Sequence, residues 1–365
     1  MRTEALRLLK SLTEAHGAPG HEDQVRQIFH DELKPHTGHT FSTDRLGSVL
    51  CRREEDVSGG GPRVMITAHM DEVGFIVQRI TKEGFLRFVP LGGWWGHTVL
   101  AQAVTVRTNS GRDIVGCVAS VPPHQLGANV RTKVMDLDSM CIDVGAMSRE
   151  QVIDEFGIQL GDSIVPATKF QTLANEDLLM AKAFDNRVGM SVLIQAMQRL
   201  QGSRVPNQLL SVATVQEELG CRGSVTAAAL AKPDVAIVLE GPPADDAPGM
   251  SRDEARGALG EGVQIRIFDP RSMSSKRLVQ FVSDLADAES IKHQVTVQRY
   301  GGTDASSFQA HEQGMPCIVL GVPSRYIHSH HSIIHIDDYL ATLSLVEKIS
   351  MNLDQNAFDS LVRFL

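Results

Sequence analysis

What this sequence lacks narrows it first. No stretch approaches the ~20 consecutive apolar residues that a membrane-spanning helix needs. The opening MRTEALRLLKSLTEAHG spaces Ala5, Leu8, Leu9 and Leu12 at helical intervals and lacks the continuous apolar stretch of a secretory signal. No membrane partner is expected, and the cytoplasm is the expected location. Basic runs are also missing. Arg52-Arg53 is the longest, Glu54, Glu55 and Asp56 follow it at once, and the net charge is -9. A chain so short of clustered cations is poorly equipped to neutralise phosphates, so no nucleic-acid partner is expected. The 5 cysteines (Cys51, Cys117, Cys141, Cys221, Cys317) are odd in number, widely spaced and free of any CxxC pair. That pattern fits reduced thiols better than a disulfide framework or a Cys-zinc site.

What is present is an ordinary globular composition, 42% hydrophobic and 22% charged over 365 residues. That length buries a sizeable core without a disulfide or metal staple. Helical spacing returns over residues 22–33, where Val25, Ile28, Phe29 and Leu33 share a face. Extended runs follow at 48–52 and 63–68, and Gly59, Gly60 and Gly61 read as a turn before the second of them. From about Gly74 to Thr168 the texture changes. Short apolar runs at 75–77, 85–90, 99–108 and 114–118 are split by Gly, Asn-Ser-Gly and Pro-Pro turns, and one helix, 149–156, interrupts them. Beyond Asp177, strands at 209–214, 234–239, 262–268, 294–298 and 317–320 alternate with helices at 187–200, 224–230, 276–287 and 337–351. Alternation of this kind implies a mixed or mostly parallel sheet with helices on both faces. The expected architecture is α/β: a discontinuous domain of residues 1–73 and 169–365, with a β-rich module of residues 74–168 inserted into it.

Five short segments carry chemistry. The apolar run 64–68 ends at His69, with Asp71 two residues on, and period-two alternation can aim both side chains the same way. A carboxylate beside a metal-bound imidazole fixes its tautomer. Asp185, in KAFDNR, stands just ahead of a helix, where it reads equally well as a cap or as a partner of Arg187. In TVQEELGCRG an apolar run leads straight into Glu217-Glu218, and neighbouring carboxylates repel unless a cation or a proton separates them. The run 235–239 delivers Glu240, and RYIHSHH offers His328, His330 and His331. Each segment has a bland explanation alone. Together they gather at strand ends, and the carboxyl edge of an open α/β sheet is where ligands bind. Histidines and carboxylates without cysteine suit Zn, Co or Mn, and one acid beyond the ligands leaves a general base. His330, His331 and His335 read as a solvated loop. His16, His21, His36 and His39 read as surface residues, and Trp94, Trp95 and His97 as serving the packing of the inserted module or its interface.

These residues sit inside longer motifs: HGAPGHEDQVR, DRLGSVL, AHMDEVGF, GDSIVP, KAFDNR, TVQEELGCRGS, GGTDAS and RYIHS, spread over essentially the whole chain. In this order they resemble the tetrahedral-shell metallo-aminopeptidases, whose members also carry the labels glutamyl aminopeptidase, deblocking aminopeptidase and endoglucanase. The resemblance implies a zinc-exopeptidase-like α/β/α catalytic fold with an inserted β-barrel-like dimerisation module, and dimers assembling into a hollow tetrahedral dodecamer. It implies two divalent cations, zinc first, with cobalt or manganese as alternatives. Asp185 would bridge them, His69 and Glu240 would complete one, and Glu218 and His328 the other. Glu217 would be the general base and Asp71 would orient His69. Gly302, Thr303 and Asp304 would face the substrate, a peptide with a free N-terminus. The family pattern has Asp where this chain has Glu240, and a cis peptide follows the position of Asp71, so a cis Asp71–Glu72 bond is expected. Three other functions remain open on sequence alone. A metal-dependent deacylase could use the same cations. An endoglucanase needs two carboxylates facing each other about 5–9.5 Å apart across a sugar, which adjacent Glu217 and Glu218 suit less well than metal ligation. A non-catalytic assembly protein would have lost part of the ligand set.

Overall fold

The computed structural model describes residues 2–36, 38–53, 60–251 and 256–365. Glu54, Glu55, Asp56 and Gly59 of the readings above lie outside them. At the centre of a 9-stranded mixed sheet, four strands run parallel in the spatial order Gln208–Thr214, Arg63–His69, Val235–Glu240, Cys317–Gly321. They are almost wholly buried, because a strand covered on both faces has no solvent side to make polar. The period of two still shows in which core each residue joins. Val64, Ile66 and Ala68 pack with the helix Phe184–Arg199, while Met65 joins Ala227, Ala228 and Phe308 on the opposite face. The flanks are antiparallel: Val49–Arg53 on one side, with His39–Thr43 beyond it, and Val263–Asp269 on the other, which in turn pairs parallel with His293–Val297.

Helices Arg2–Glu14, Asp23–Leu33 and Ile336–Asn352 close over Phe184–Arg199. Their apolar stripes (Ala5, Leu8, Leu9 and Leu12; Val25, Phe29 and Leu33) are fully buried, as the helical spacing predicts. Gly60 and Gly61 take left-handed φ angles of 72° and 88° in the bend before Arg63–His69, and a Cβ at Gly61 would come within 2.3 Å of the Pro206 carbonyl.

Between His69 and the next stretch of the main sheet the chain forms a separate closed barrel. In order around it lie Gly74–Ile80, Leu86–Leu91, Cys141–Asp143, Asp113–Ala119, Ala103–Arg107 and Ser163–Pro166. Phe75, Leu86, Phe88, Val104, Val106, Ile142 and Ile164 fill it with a core of its own. Entry and exit run close together, since Phe75 pairs with Ile164 and a Cβ at Gly74 would sit 2.5 Å from the Ile164 carbonyl.

Several local expectations change. The run 99–108 is a strand only over Ala103–Arg107, because Ala101 turns left-handed (φ 63°) just after the short Gly96–Thr98 turn. The helix expected at 149–156 is a single wide turn over Gln151–Glu155. Leu178–Ala181 and Ser332–His335, not foreseen as strands, pair antiparallel with Ala181 opposite Ser332. His16 is buried rather than exposed, with Nε2 2.7 Å from the Ser163 hydroxyl at the barrel exit. The cis peptide lies at Asp185–Asn186 and not at Asp71–Glu72. Among the described residues no helix is long and apolar enough to cross a membrane.

Candidate metal centre

The four parallel strands end on one edge and deliver His69, Glu217-Glu218, Glu240 and the loop carrying His328 to a common cleft of about 500 Å³. The small antiparallel pair brings in the remaining group. Because Ala181 faces Ser332, the segments just beyond them, 182–185 and 328–331, run side by side, and Asp185 meets His328. The Asp185 carboxylate stands between two imidazoles: Oδ1 is 3.2 Å from His69 Nε2, and Oδ2 is 3.4 Å from His328 Nε2. Glu240 Oε2 lies 3.6 Å from His69 Nε2, and Glu218 Oε1 lies 3.2 Å from His328 Nε2. Of three ligand-like triads among the described residues, His69–Asp185–Glu240 and Asp185–Glu218–His328 share Asp185, and Glu217–Cys221–Asp304 has no residue in common with them.

Glu217 stands beside the first triad, Oε2 4.0 Å from His69 Nε2. Asp71, fully buried, does more than sit next to His69. Its carboxylate accepts the backbone N–H groups of Glu217 and Glu218, both at 3.0 Å, while its carbonyl is 3.1 Å from His69 Nδ1. Glu22, from the HGAPGHE motif, adds a third hold on the same loop by accepting the Gln216 N–H at 3.2 Å. Left-handed non-glycine residues gather around the cleft: Ala183, Gln216, Cys221, Tyr326 and His328. Such backbone concentrates where surrounding structure fixes a functional group.

Electrostatically the cluster is an excess of acid. Burial pushes the Glu240 carboxyl up to about 7 against the opposing pull of His69. Burial likewise raises Glu217 well above the carboxylate range, with Glu218 and Glu240 adding to the shift and His69 opposing it. Burial alone would lower both imidazoles. Asp185, Asp71 and Glu240 outweigh it at His69, and Glu218 and Asp185 outweigh it at His328, which is held up to about 11. Glu240 Oε1 is buried without a partner. Crowded carboxylates that keep protons in the absence of any other cation, an orphaned carboxylate oxygen and imidazole nitrogens aimed inward all fit divalent ions better than a structural ion-pair network.

Gly301, Gly302 and Thr303 line the cleft. Asp304 is set behind Glu217 instead, where Oδ2 accepts the Thr214 hydroxyl at 2.6 Å and Oδ1 has no partner. Sequence reading did not single out Arg266 and Arg271 on the same wall. Arg271 runs across Gly302, where a Cβ would meet its Cδ at 2.4 Å, and among the described residues its guanidinium has no acid partner. His330, expected to be solvated, is buried against Trp94.

A family model described as M42 glutamyl aminopeptidase matches residues 47–345. A glutamyl aminopeptidase of Lactococcus lactis subsp. cremoris is 35% identical over 347 residues, 95% of this chain and 96% of that protein. The crystal structure of a TET aminopeptidase from the marine sediment archaeon Thaumarchaeota archaeon SCGC AB-539-E09 superposes with a TM-score of 0.94 at 37% identity, covering 99% of each chain. The TET1 peptidase of Pyrococcus horikoshii, whose structure is described as assembling into a tetrahedron or a large octahedral shell, superposes with a TM-score of 0.83 at 28% identity, over 96% of this chain and 100% of that one.

Proposed function

We propose that this chain, which belongs to the M42 glutamyl aminopeptidase family and is an aminopeptidase, works through two divalent cations that share Asp185. Members of this family are metal-dependent peptidases, and candidate ligand groups are present here. His69 and Glu240 complete one ion, Glu218 and His328 the other, and zinc is the metal proposed, with cobalt or manganese as substitutes that the same donors accept. The observation that carries this reading is Asp185, whose two oxygens face two different imidazoles at 3.2 and 3.4 Å. When bound, such ions polarise the scissile carbonyl and make water nucleophilic near neutral pH.

Glu217 is the general base. It takes the proton of the attacking water and returns it to the departing amide nitrogen, a transfer that suits a carboxyl whose proton affinity burial has raised. Asp71 holds the backbone of Glu217 and Glu218 so that adjacent carboxylates serve different partners, and it helps to fix His69. Gly302 and Thr303 line the seat of the N-terminal residue, with Asp304 supporting Glu217 from behind. Arg271 favours an acidic side chain there, Arg266 being already paired with Asp269 at 3.4 Å, in keeping with the glutamyl name of the family and of the lactococcal relative. Residues 1–73 and 169–365 form the catalytic unit in this reading, and 74–168 the dimerisation module. The protein is a homo-oligomer, and we propose dimers that build a tetrahedral dodecamer, as the tetrahedral form of the Pyrococcus horikoshii peptidase suggests. Its substrates are cytoplasmic peptides with a free N-terminus.

The test combines elemental analysis, light scattering and a set of Glu-, Ala- and Lys-initiated peptides, free and N-blocked. Two ions per chain, loss of cleavage on chelation, recovery with zinc and a preference for free Glu peptides are expected. Full activity after exhaustive chelation would falsify the metal assignment, and faster turnover of blocked peptides would make the enzyme a deacylase.

A further inference from the structure

The cleft does not end at His328. Gly93, Ile327 and His328 are shared with a second cavity of about 670 Å³, between the barrel loop at 93–102 and the loop at 326–331. Its rings are held differently. Trp94 is fixed, with Nε1 donating to the Gly74 carbonyl at 3.0 Å and its ring stacked on Phe75 at 4.6 Å. Trp95 and Tyr326 stand out into solvent, 63% and 47% exposed. Buried His330 packs against Trp94 at 5.3 Å, and neither of its ring nitrogens makes a hydrogen bond of ordinary geometry. The exposed rings leave apolar area in water that a ligand can cover, and the His330 ring beside them has only a backbone contact to Ala103. The passage between the two cavities depends on Gly93, where a Cβ would already lie 3.3 Å from His328 Nδ1.

We propose that this cavity is the subsite for the second residue of the peptide, the first residue of the leaving fragment, and that it selects apolar and aromatic side chains there. The proposal rests on the aminopeptidase reading and gives the bound peptide a direction. The N-terminal residue lies toward Arg266 and Arg271, and the chain leaves past His328 toward Trp95 and Tyr326. Continuity commits the occupant. An extended chain advances about 3.3–3.6 Å per residue, so the residue beyond a bond cleaved beside His328 falls at the mouth of this cavity.

Steady-state kinetics of the holoenzyme would decide it, using two peptides that share their N-terminal residue and differ only in Phe or Gly at the second position. The expected kcat/KM favours Phe by about tenfold or more, the range that one apolar pocket supplies. Trp95→Ala and Tyr326→Ala should pull that ratio toward one through a loss on the Phe peptide that the Gly peptide does not share in full. Gln102→Trp, which fills the cavity, should depress the Phe peptide most. A wild-type ratio near one, or equal losses on both peptides, overturns the subsite. So does a Trp95→Ala variant that changes the oligomer by light scattering and leaves the ratio intact, since the cavity is then a contact between copies. Cleavage without second-residue preference sinks this proposal alone, whereas no release of the N-terminal residue from either peptide sinks the aminopeptidase reading as well.

Discussion

Charge is buried at two neighbouring places just beyond the Arg63–His69 strand, and the two are built in opposite ways. Around Glu72, Lys182 Nζ approaches to 2.5 Å and Arg187 Nη2 to 2.9 Å. Arg187 also donates to the carbonyls of Leu12, Ala15, Gly17 and Met70. Burial draws Lys182 down to about 8 while Glu72 opposes it. Every member of this group has its partners inside the protein. Next along the chain, Asp71 belongs to the other group, where Asp185, Glu217, Glu218 and Glu240 crowd two imidazoles and Glu240 Oε1 is left without a partner. The first cluster is complete as it stands and lies away from the cleft. It ties the N-terminal segment, the strand end and the helix Phe184–Arg199 into one frame. The second is incomplete on that frame and lines the cleft. A buried ionic cluster therefore signals a site when its charges do not close on themselves, not merely because it is buried.

If that distinction holds, substitutions in the two clusters should fail in different currencies. Asp185→Asn should keep the fold, lose bound metal by elemental analysis and lower kcat/KM by about 10³-fold or more, the several kcal/mol that paired cations supply. Retention of both metal and rate would erase the difference between the clusters. Glu72→Ala should do the reverse. It strands Lys182 and Arg187 in the interior and should cost about 3–5 kcal/mol in urea unfolding, with metal per folded chain unchanged. Chelation gives a smaller effect that sharpens the comparison. Zinc at a hundredfold excess over its Kd should add about 2.7 kcal/mol to the unfolding free energy for each ion bound. The same increment should appear in Glu72→Ala if the two clusters, neighbours in space, are energetically separate. An increment that shrinks in the variant would mean that the frame and the centre are one network.

The sequence made one side of this contrast far more legible than the other. His69, Glu217, Glu218 and Glu240 were readable because a continuous apolar run ending in a ligand-type residue has few structural explanations. The α/β architecture followed from the same runs. The strands Leu178–Ala181 and Ser332–His335 were not readable, being short and lacking an alternating pattern, yet their pairing is what sets Asp185 beside His328. Arg266 and Arg271 looked like ordinary charged residues near a strand end, and only the close passage of Arg271 over Gly302 puts them on the cleft wall. Asp71 was foreseen as a partner of His69. Its two bonds to the backbone of Glu217 and Glu218 come from the parallel pairing of strands distant in sequence. The members of the Glu72 cluster stand inside AHMDEVGF and KAFDNR, but nothing in either motif shows that Glu72 meets Lys182 and Arg187 across more than a hundred residues.

His16 provides the gentlest probe, and it reports on the frame rather than the centre. Its imidazole is enclosed by Ser163, with Lys182 and Arg187 near enough to disfavour a second positive charge. Burial first, and then Lys182, Arg107 and Arg187, push its pKa down to about 2. In the unfolded chain the group titrates near the ordinary value of about 6.5. Below that pH the unfolded state takes up a proton that the folded state refuses, so His16 withdraws stability as the pH falls and has no such effect above it. The limiting slope for one group is about 1.4 kcal/mol per pH unit. Urea midpoints of wild type and His16→Asn between pH 7.5 and 5 should therefore converge on acidification, the wild type losing stability faster by up to that slope. Parallel curves would mean that His16 can take up its proton in the folded protein. The Lys182 and Arg187 charges would then be shielded from it, and the Glu72 cluster would be closed even to its nearest neighbour.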